Sequence, residues 1–183
     1  RLAILGYGAE AETHLRAIAR VRRLEDVTVW GRSFDSATRF AARMAAETGL
    51  AVRPVTEARA AAQDADIICT VTSSATPVLS GAWVRPGTHV NAVGSSYPGP
   101  VEIDNDLVVK SRYIADSRRS ALAAAAEFLV AKQAGLIDDT HIVGEIGEVL
   151  LGRVAGRTAA SEITLYKSLG HIVQDLAATA YVH

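Results

Sequence analysis

Two glycines one residue apart follow the first apolar run of the chain, in the sequence LAILGYGAEAETHL. In the pattern G-x-G-x-x-G/A, the first glycine permits a tight turn and the second lets the backbone approach a pyrophosphate. Gly6 and Gly8 occupy these positions, and Ala11 is the small residue that lets helix and strand pack closely. The start of the helix then offers free N–H groups to phosphates. The pattern therefore predicts a dinucleotide site, with a ligand-free tight turn as the alternative.

The residues at the end of the second predicted strand, in VWGRSFDS, indicate whether the site prefers NAD or NADP. A carboxylate at this place accepts hydrogen bonds from the ribose hydroxyls of NAD. Gly31, Arg32 and Ser33 stand there instead, and a cation beside a hydroxyl suits the 2′-phosphate of NADP. One charge-assisted hydrogen bond contributes about 1.5–3 kcal/mol, or tenfold and more in preference. The alternative is that Arg32 is a solvated loop residue, and Asp35 is expected to cap the next helix.

Two further loops follow the fourth and fifth predicted strands, as TVTSSATP and GSSYPGPVEID. Ligands of doubly wound sheets lie beyond the carboxyl ends of the strands. Three residues are expected to contact the ribose and adenine side of a cofactor: Thr70, Val71 and Thr72. Val93 and Gly94 are expected near the nicotinamide, with Ser95 and Ser96 available to donate to substrate or cofactor. Ordinary loop chemistry is the alternative for the first loop.

The elements that position these residues alternate between strand-like and helical patterns. This alternation predicts an α/β fold, a Rossmann-type, doubly wound and mostly parallel sheet with helices on both faces. Seven strands are predicted, at LAIL, DVTVW, AVRPV, DIICTV, HVNAV, YIAD and ITLYKS. Helices are predicted over residues 9–21 and 36–48, at TEARAAAQ, over the alanine-rich residues 117–134, at EIGEVLLG and at GHIVQDLAATAYV. No internal repeat or linker interrupts residues 1–183, so one domain is expected.

Composition excludes several classes of function. The net charge is −1 and 49% of the residues are hydrophobic, so nucleic acid is not an expected partner. No segment has the length and purity of a membrane span, and no membrane partner is expected. The single cysteine, Cys69, rules out a disulfide framework and suggests a cytoplasmic location. The five histidines lack the spacing of metal ligands, so no metal is expected.

Longer stretches of the chain resemble the ornithine cyclodeaminase and mu-crystallin family. The matching segments are LGYGAEAETHLRAI, VTVWGRS, ADIICTVTSS, WVRPGTHVNAVGSSYPGPVEID, GEIGEVLLGRVAGRT and EITLYKSLGHIVQDLAAT. Together they cover nearly the whole chain in order. The family implies a Rossmann domain joined to a separate substrate and dimerisation domain. Its members include NAD-dependent cyclodeaminases, alanine dehydrogenase-like enzymes and NAD(P)H-dependent reductases of cyclic imines and ketimines.

The resemblance also carries roles over to particular residues. The pyrophosphate turn corresponds to Gly6, Gly8, Ala9 and Glu10, where Glu10 replaces the usual glutamine. Arg32 and Ser33 resemble the NADPH-preferring members, which carry a similar Asn-Arg-Thr. Thr70 and Thr72 match contacts of the fourth strand. Positions near the nicotinamide correspond to Ala92, Val93, Ser96 and Leu169.

Two departures from the family pattern narrow the chemistry. Cyclodeaminases have an aspartate where this chain has Ser96, and a serine is no general base without an activating partner. Serine at this place resembles mu-crystallin and the imine reductases, in which a C=N bond needs only a hydride and a proton. Ser96 is the catalytic candidate, positioning a water or the imine nitrogen. Ala124, Ala126 and Glu127 replace the family's Glu, Gly and Asp, which implies an altered substrate contact.

The resemblance therefore predicts an NAD(P)H-dependent reductase of a cyclic imino acid, with NADP(H) preferred and NAD(H) possible. The arginine and lysine that hold the substrate in the family lie mainly upstream of the glycine turn. Residues 1–183 are accordingly expected to be the cofactor half, without the N-terminal substrate domain. The intact protein is expected to be a homodimer that takes a small imino or amino acid. The alternatives are an NAD-dependent cyclodeaminase or amino-acid dehydrogenase, and a non-catalytic NADPH-dependent protein that binds a small ligand.

Overall fold

The computed structural model describes residues 1–182 and has the predicted α/β architecture. Within this range the strands are Leu2–Leu5 (β1), Val27–Trp30 (β2), Val52–Pro54 (β3), Ile67–Thr70 (β4), His89–Ala92 (β5), Ser111–Ala115 (β6), Ile142–Glu145 (β7) and Ile163–Lys167 (β8). The α-helices are Ala9–Val21 (α1), Phe34–Thr48 (α2), Ala58–Ala62 (α3), Asn105–Lys110 (α4), Arg118–Ala124 (α5), Ala126–Gln133 (α6), Ile146–Leu150 (α7) and Ile172–Val182 (α8). None of these helices is long and apolar enough to cross a membrane.

The strands form one sheet in the order β3-β2-β1-β4-β5-β8-β6-β7, and all neighbouring pairs are parallel. Alternate side chains of each strand point to opposite faces. Leu2 and Ile4 of β1 pack with α1 and α2, whereas Ala3 and Leu5 pack with the cluster that includes α3, α4, α5 and α6. Burial on both faces is typical of a parallel sheet. The prediction of a doubly wound sheet is confirmed, and the chain order reverses between β1 and β4.

Several local predictions hold at residue level. Helix α1 has the predicted bounds. Helix α2 ends at Thr48, and Gly49 follows in the left-handed conformation with φ 71°. The proline-containing β3 lies at an edge of the sheet. The prediction that Asp35 caps α2 is wrong, because the helix begins two residues earlier than predicted and the Ser33 side chain accepts from the Ser36 N–H.

Other elements differ from the prediction. The alanine-rich residues 117–134 form two helices rather than one, separated at Ala125 with φ −71° and ψ 96°. The residues around the break, 123–126, are all alanines, which favour helix, so the break has a tertiary cause. The second helix places the fully buried Glu127 in the interior, beside Lys167. Strand β7 and helix α4 were not predicted.

His89 on β5 gives the fold a pH dependence that can be measured. Its ring nitrogens lie 2.8 Å from Thr164 Oγ1 and 3.3 Å from Asn91 Oδ1, and burial lowers the pKa of the imidazole. The unfolded chain therefore takes up this proton first as the pH falls, so the stability that neutral His89 contributes is complete above about pH 6.5 and decreases below it.

We expect the stability of the wild type to fall by up to about 1.4 kcal/mol per pH unit from this group below pH 6.5. Urea unfolding of wild type and His89→Gln at a series of pH values measures it, because the variant has no titrating group at this place. Parallel curves for the two proteins between pH 7 and about pH 5 would contradict this role for His89.

Candidate functional site

A cleft of about 210 Å³ opens at the carboxyl ends of β1, β2 and β4. Its lining consists of Gly6, Tyr7, Gly8, Trp30, Gly31, Arg32, Val71, Thr72, Ser73, Ser74 and Val78. The cleft thus brings together six residues singled out in the sequence: Gly6, Gly8, Gly31, Arg32, Val71 and Thr72. The other five lining residues are marked as cofactor contacts by no sequence pattern: Tyr7, Trp30, Ser73, Ser74 and Val78. Tyr7 lies between the two glycines of the G-x-G-x-x-G/A pattern, at a position where the pattern specifies no residue type.

The glycine turn has the geometry that the pattern requires. Gly6 has φ 128°, its N–H donates to the Trp30 carbonyl at 2.8 Å, and an added Cβ would lie 2.6 Å from the Val71 carbonyl oxygen. Gly8 precedes α1 without a capping side chain, and an added Cβ there would meet nothing within 4 Å. No side chain caps the first N–H groups of α1 and the space beside Gly8 is open, a setting that fits a phosphate. Ala9 and Glu10 are exposed at this helix start.

The segment after β2 offers a cation and a hydroxyl. Arg32 is exposed at the rim of the cleft, and no ion pair within residues 1–182 uses it. The half-buried Ser33 accepts from the Ser36 N–H at 3.2 Å, which leaves its own hydroxyl proton available to donate. Gly31 is buried. These side chains have the chemistry to receive an anion, and no carboxylate competes for the place at the strand end.

A buried carboxylate that the sequence analysis missed joins the loops after β4 and β5. Glu102 accepts from the Thr70 hydroxyl at 2.9 Å, from the Thr72 N–H and hydroxyl at 2.5 and 2.7 Å, and from the Gly94 N–H at 2.7 Å. Burial raises the pKa of Glu102, and these donors act against the rise. Thr70 is itself fully buried. Both threonine hydroxyls donate to Glu102 in this structure. The predicted contact of Thr70 and Thr72 with a cofactor therefore stays a prediction.

A buried ion pair supports the next turn. Lys167 Nζ lies 3.0 Å from Glu127 Oε1 and donates to the Ser95 carbonyl at 2.5 Å and the Ser95 hydroxyl at 2.9 Å. The Ser95 hydroxyl donates to Glu127 Oε2 at 2.7 Å, while Oε1 has no aligned donor and contacts the ammonium as an ion pair. Lys167 and Glu127 have no exposed area. Glu127 and Lys167 thus anchor the buried Ser95 in this structure, and the next residue, Ser96, is exposed.

The remaining predicted residues lie along the same edge of the sheet, outside the cleft. Ala92 is fully buried at the end of β5, and Val93 is half-buried beside it. The Leu169 N–H, after β8, donates to Asp116 Oδ2 at 2.6 Å. Asp116 also accepts from the Ser117 N–H at 2.7 Å, and the Ser117 side chain caps α5. Because β4, β5 and β8 are neighbours, these residues extend the cleft's edge toward the buried ion pair.

The parallel sheet, the glycine turn and the cleft at the reversal of strand order define a Rossmann-type α/β domain. The chain belongs to the ornithine cyclodeaminase/mu-crystallin family, whose model matches residues 1–183. The mouse ketimine reductase mu-crystallin is 34% identical over 182 residues, which is 100% of this chain and 54% of the mouse protein. The predicted family resemblance is therefore confirmed.

Two solved structures are similar as well. The Thermococcus litoralis Δ1-pyrroline-2-carboxylate reductase, in complex with NADH and L-proline, has a TM-score of 0.95 and 34% identity, covering 98% of this chain and 55% of that one. The iminosuccinate reductase of Paracoccus denitrificans, in complex with NAD+, has a TM-score of 0.90 and 33% identity, covering 98% and 54%. The chain thus spans about half the length of the relatives it matches.

Proposed function

We propose that residues 1–183 form the cofactor half of an oxidoreductase that reduces cyclic imino acids with NADPH. The observation that carries this proposal is the cleft, in which Gly8 and the open start of α1 adjoin Arg32. The relatives' greater length supports a second half for substrate binding, since a domain of this size could account for the difference. The expected homodimer and the cytoplasmic location stay predictions.

Residues of the cleft and of the adjoining sheet edge would each bind a different part of the cofactor. Gly6, Gly8 and the N–H groups at Ala9 and Glu10 would hold the pyrophosphate, where helix N–H groups suit an anion. Arg32 and Ser33 would hold the 2′-phosphate beside Gly31. Val71 and Thr72 would line the adenosine side, and the nicotinamide would lie toward Ala92, Val93 and Leu169. When bound, the cofactor supplies the hydride.

The substrate class follows from the names of the relatives and from Ser96. The three relatives are named as reductases of a ketimine, a pyrroline carboxylate and iminosuccinate, and all three names describe a C=N bond. Such a bond needs a proton at nitrogen but no base that removes an amine proton. Ser96 is exposed and follows Ser95, which Lys167 holds in the interior. We propose that the Ser96 hydroxyl positions a water or the imine nitrogen. This role favours an imine reductase over a cyclodeaminase.

The preference for NADPH rests on Arg32 and differs from the NAD(H) held by the two solved relatives. We expect Arg32→Ala to weaken NADPH binding tenfold or more, about 1.5–3 kcal/mol, and to leave NADH binding unchanged. Quenching of Trp30, which lines the cleft, and titration calorimetry measure both affinities. Arg39→Ala is the matched control, because Arg39 is exposed on α2 and bonds to Ser36 rather than lining the cleft. Tighter NADH than NADPH binding by the wild type would overturn the preference.

Turnover separates an enzyme from a binding protein. We expect the full-length protein to oxidise NADPH only when a cyclic imine carboxylate such as pyrroline-2-carboxylate is added. Binding of NADPH without oxidation across a panel of such imines would favour the non-catalytic alternative. Release of ammonia from ornithine in the presence of NAD+ would favour the cyclodeaminase instead.

A further inference from the structure

Gly31 occupies the place where NAD-binding sites of this fold carry an acid. It is the first residue after β2, it is buried, and it lines the cleft. An aspartate or glutamate there would accept from the ribose hydroxyls. The backbone does not demand glycine, because Gly31 is absent from the positive-φ glycines of the described residues. The absence of a side chain at position 31 therefore needs another cause.

The cause is the ring of Tyr7. A Cβ built on Gly31 would overlap Cδ1 and Cε1 of Tyr7, and no other residue lies as close to that position. Tyr7 is held between Gly6 and Gly8 of the turn and packs against the core cluster on the α1 and α2 side of the sheet. Cδ1 and Cε1 lie on one edge of the rigid ring, so the whole ring would have to leave its packing against this cluster to relieve the overlap. A side chain at position 31 and the Tyr7 ring in this position thus exclude each other.

We propose that Tyr7 is a specificity-determining residue that keeps the cofactor site in its 2′-phosphate form. Its ring fills the volume from which a ribose-binding carboxylate would grow and leaves Arg32 as the charged group at the strand end. The inference rests on the proposed function, because it assumes that a nicotinamide dinucleotide binds in this cleft. A substitution at position 31 alone is then insufficient to change the preference from NADPH to NADH. Positions 7 and 31 must be substituted together.

Four variants of the chain test the coupling through the affinities for NADH and NADPH. Gly31→Asp alone is expected to weaken both cofactors, since either the ring or the new side chain must move into the cleft. Tyr7→Ala/Gly31→Asp is expected to bind NADH tenfold or more tightly than Tyr7→Ala, roughly the effect of one charge-assisted hydrogen bond. Tyr7→Phe/Gly31→Asp is the matched control, because it keeps the ring and should behave like Gly31→Asp.

Thermal unfolding provides a readout that needs no cofactor. Gly31→Ala should lower the melting temperature in the Tyr7 background and change it little in the Tyr7→Ala background, which is the non-additivity expected of two residues in contact. This comparison remains informative if Gly31→Asp does not fold.

The results distinguish the two proposals. Tighter NADH binding by Gly31→Asp with Tyr7 in place, or additive effects at positions 7 and 31, would overturn the inference about Tyr7. A wild type that binds neither NADH nor NADPH would instead overturn the proposed function. A wild type that binds NADPH and loses its preference in Arg32→Ala, together with the non-additive cycle, would support both.

Discussion

Lys167→Met is expected to lower the free energy of unfolding by about 3–5 kcal/mol, because it leaves the Glu127 carboxylate buried without a counter-charge. The same change removes the donor to the Ser95 carbonyl, so the turn that carries Ser96 also loses its anchor. Urea unfolding of the purified chain measures the first effect. The second should appear as weaker nicotinamide-cofactor binding at temperatures where the variant is still folded.

Two controls separate burial from charge. Arg53 pairs with Asp26 through two hydrogen bonds of 2.9 and 3.0 Å, but the Arg53 side chain is 58% exposed. Arg53→Met should cost about 1 kcal/mol or less. Lys167→Met/Glu127→Leu should recover much of the loss, since replacing a buried pair by apolar groups is often neutral. Equal costs for Lys167→Met and Arg53→Met, or no recovery in the double variant, would contradict the importance of the buried charge.

The parts of the fold that local physics controls were predictable. Apolar runs separated by helical patterns gave the parallel sheet, and the pair Gly6 and Gly8 marked the turn of the candidate site. The start of α1 after Gly8 and the end of α2 at Gly49 depend on glycines that start or stop a helix, so they too could be predicted. The roles of Arg32 and Ser96 stay predictions, because they concern bound molecules.

The parts that depend on distant partners could not be predicted. Glu102 lies 32 residues from Thr70 in sequence, and Lys167 lies 72 residues from Ser95. No local pattern distinguishes such a carboxylate or ammonium from a solvated one. The break at Ala125 was missed for the same reason, since every neighbouring residue favours continuous helix. The Tyr7–Gly31 overlap likewise joins two loops that only the folded sheet brings together.

Gly6→Ala and Gly8→Ala are expected to fail in different ways, although the two glycines belong to one motif. At Gly6 the left-handed φ of 128° and the 2.6 Å approach to the Val71 carbonyl oppose any side chain. This substitution should destabilise the fold by at least about 2 kcal/mol and distort the cleft. At Gly8 an added methyl group meets no protein atom and φ is −87°, so the cost should be about 1 kcal/mol or less, mostly from a poorer helix cap.

The methyl group at position 8 would nevertheless project into the space where a pyrophosphate approaches the start of α1. Gly8→Ala should therefore keep its melting temperature near that of the wild type and lose tenfold or more in affinity for NADPH and NADH alike, because the pyrophosphate is common to both. Gly49→Ala serves as the control, because Gly49 follows α2 outside the cleft, is left-handed like Gly6 and has open space around it. This variant should lose stability, but its folded form should bind both cofactors with unchanged affinity. A Gly8→Ala variant that binds both cofactors like the wild type would show that the space beside Gly8 holds no phosphate.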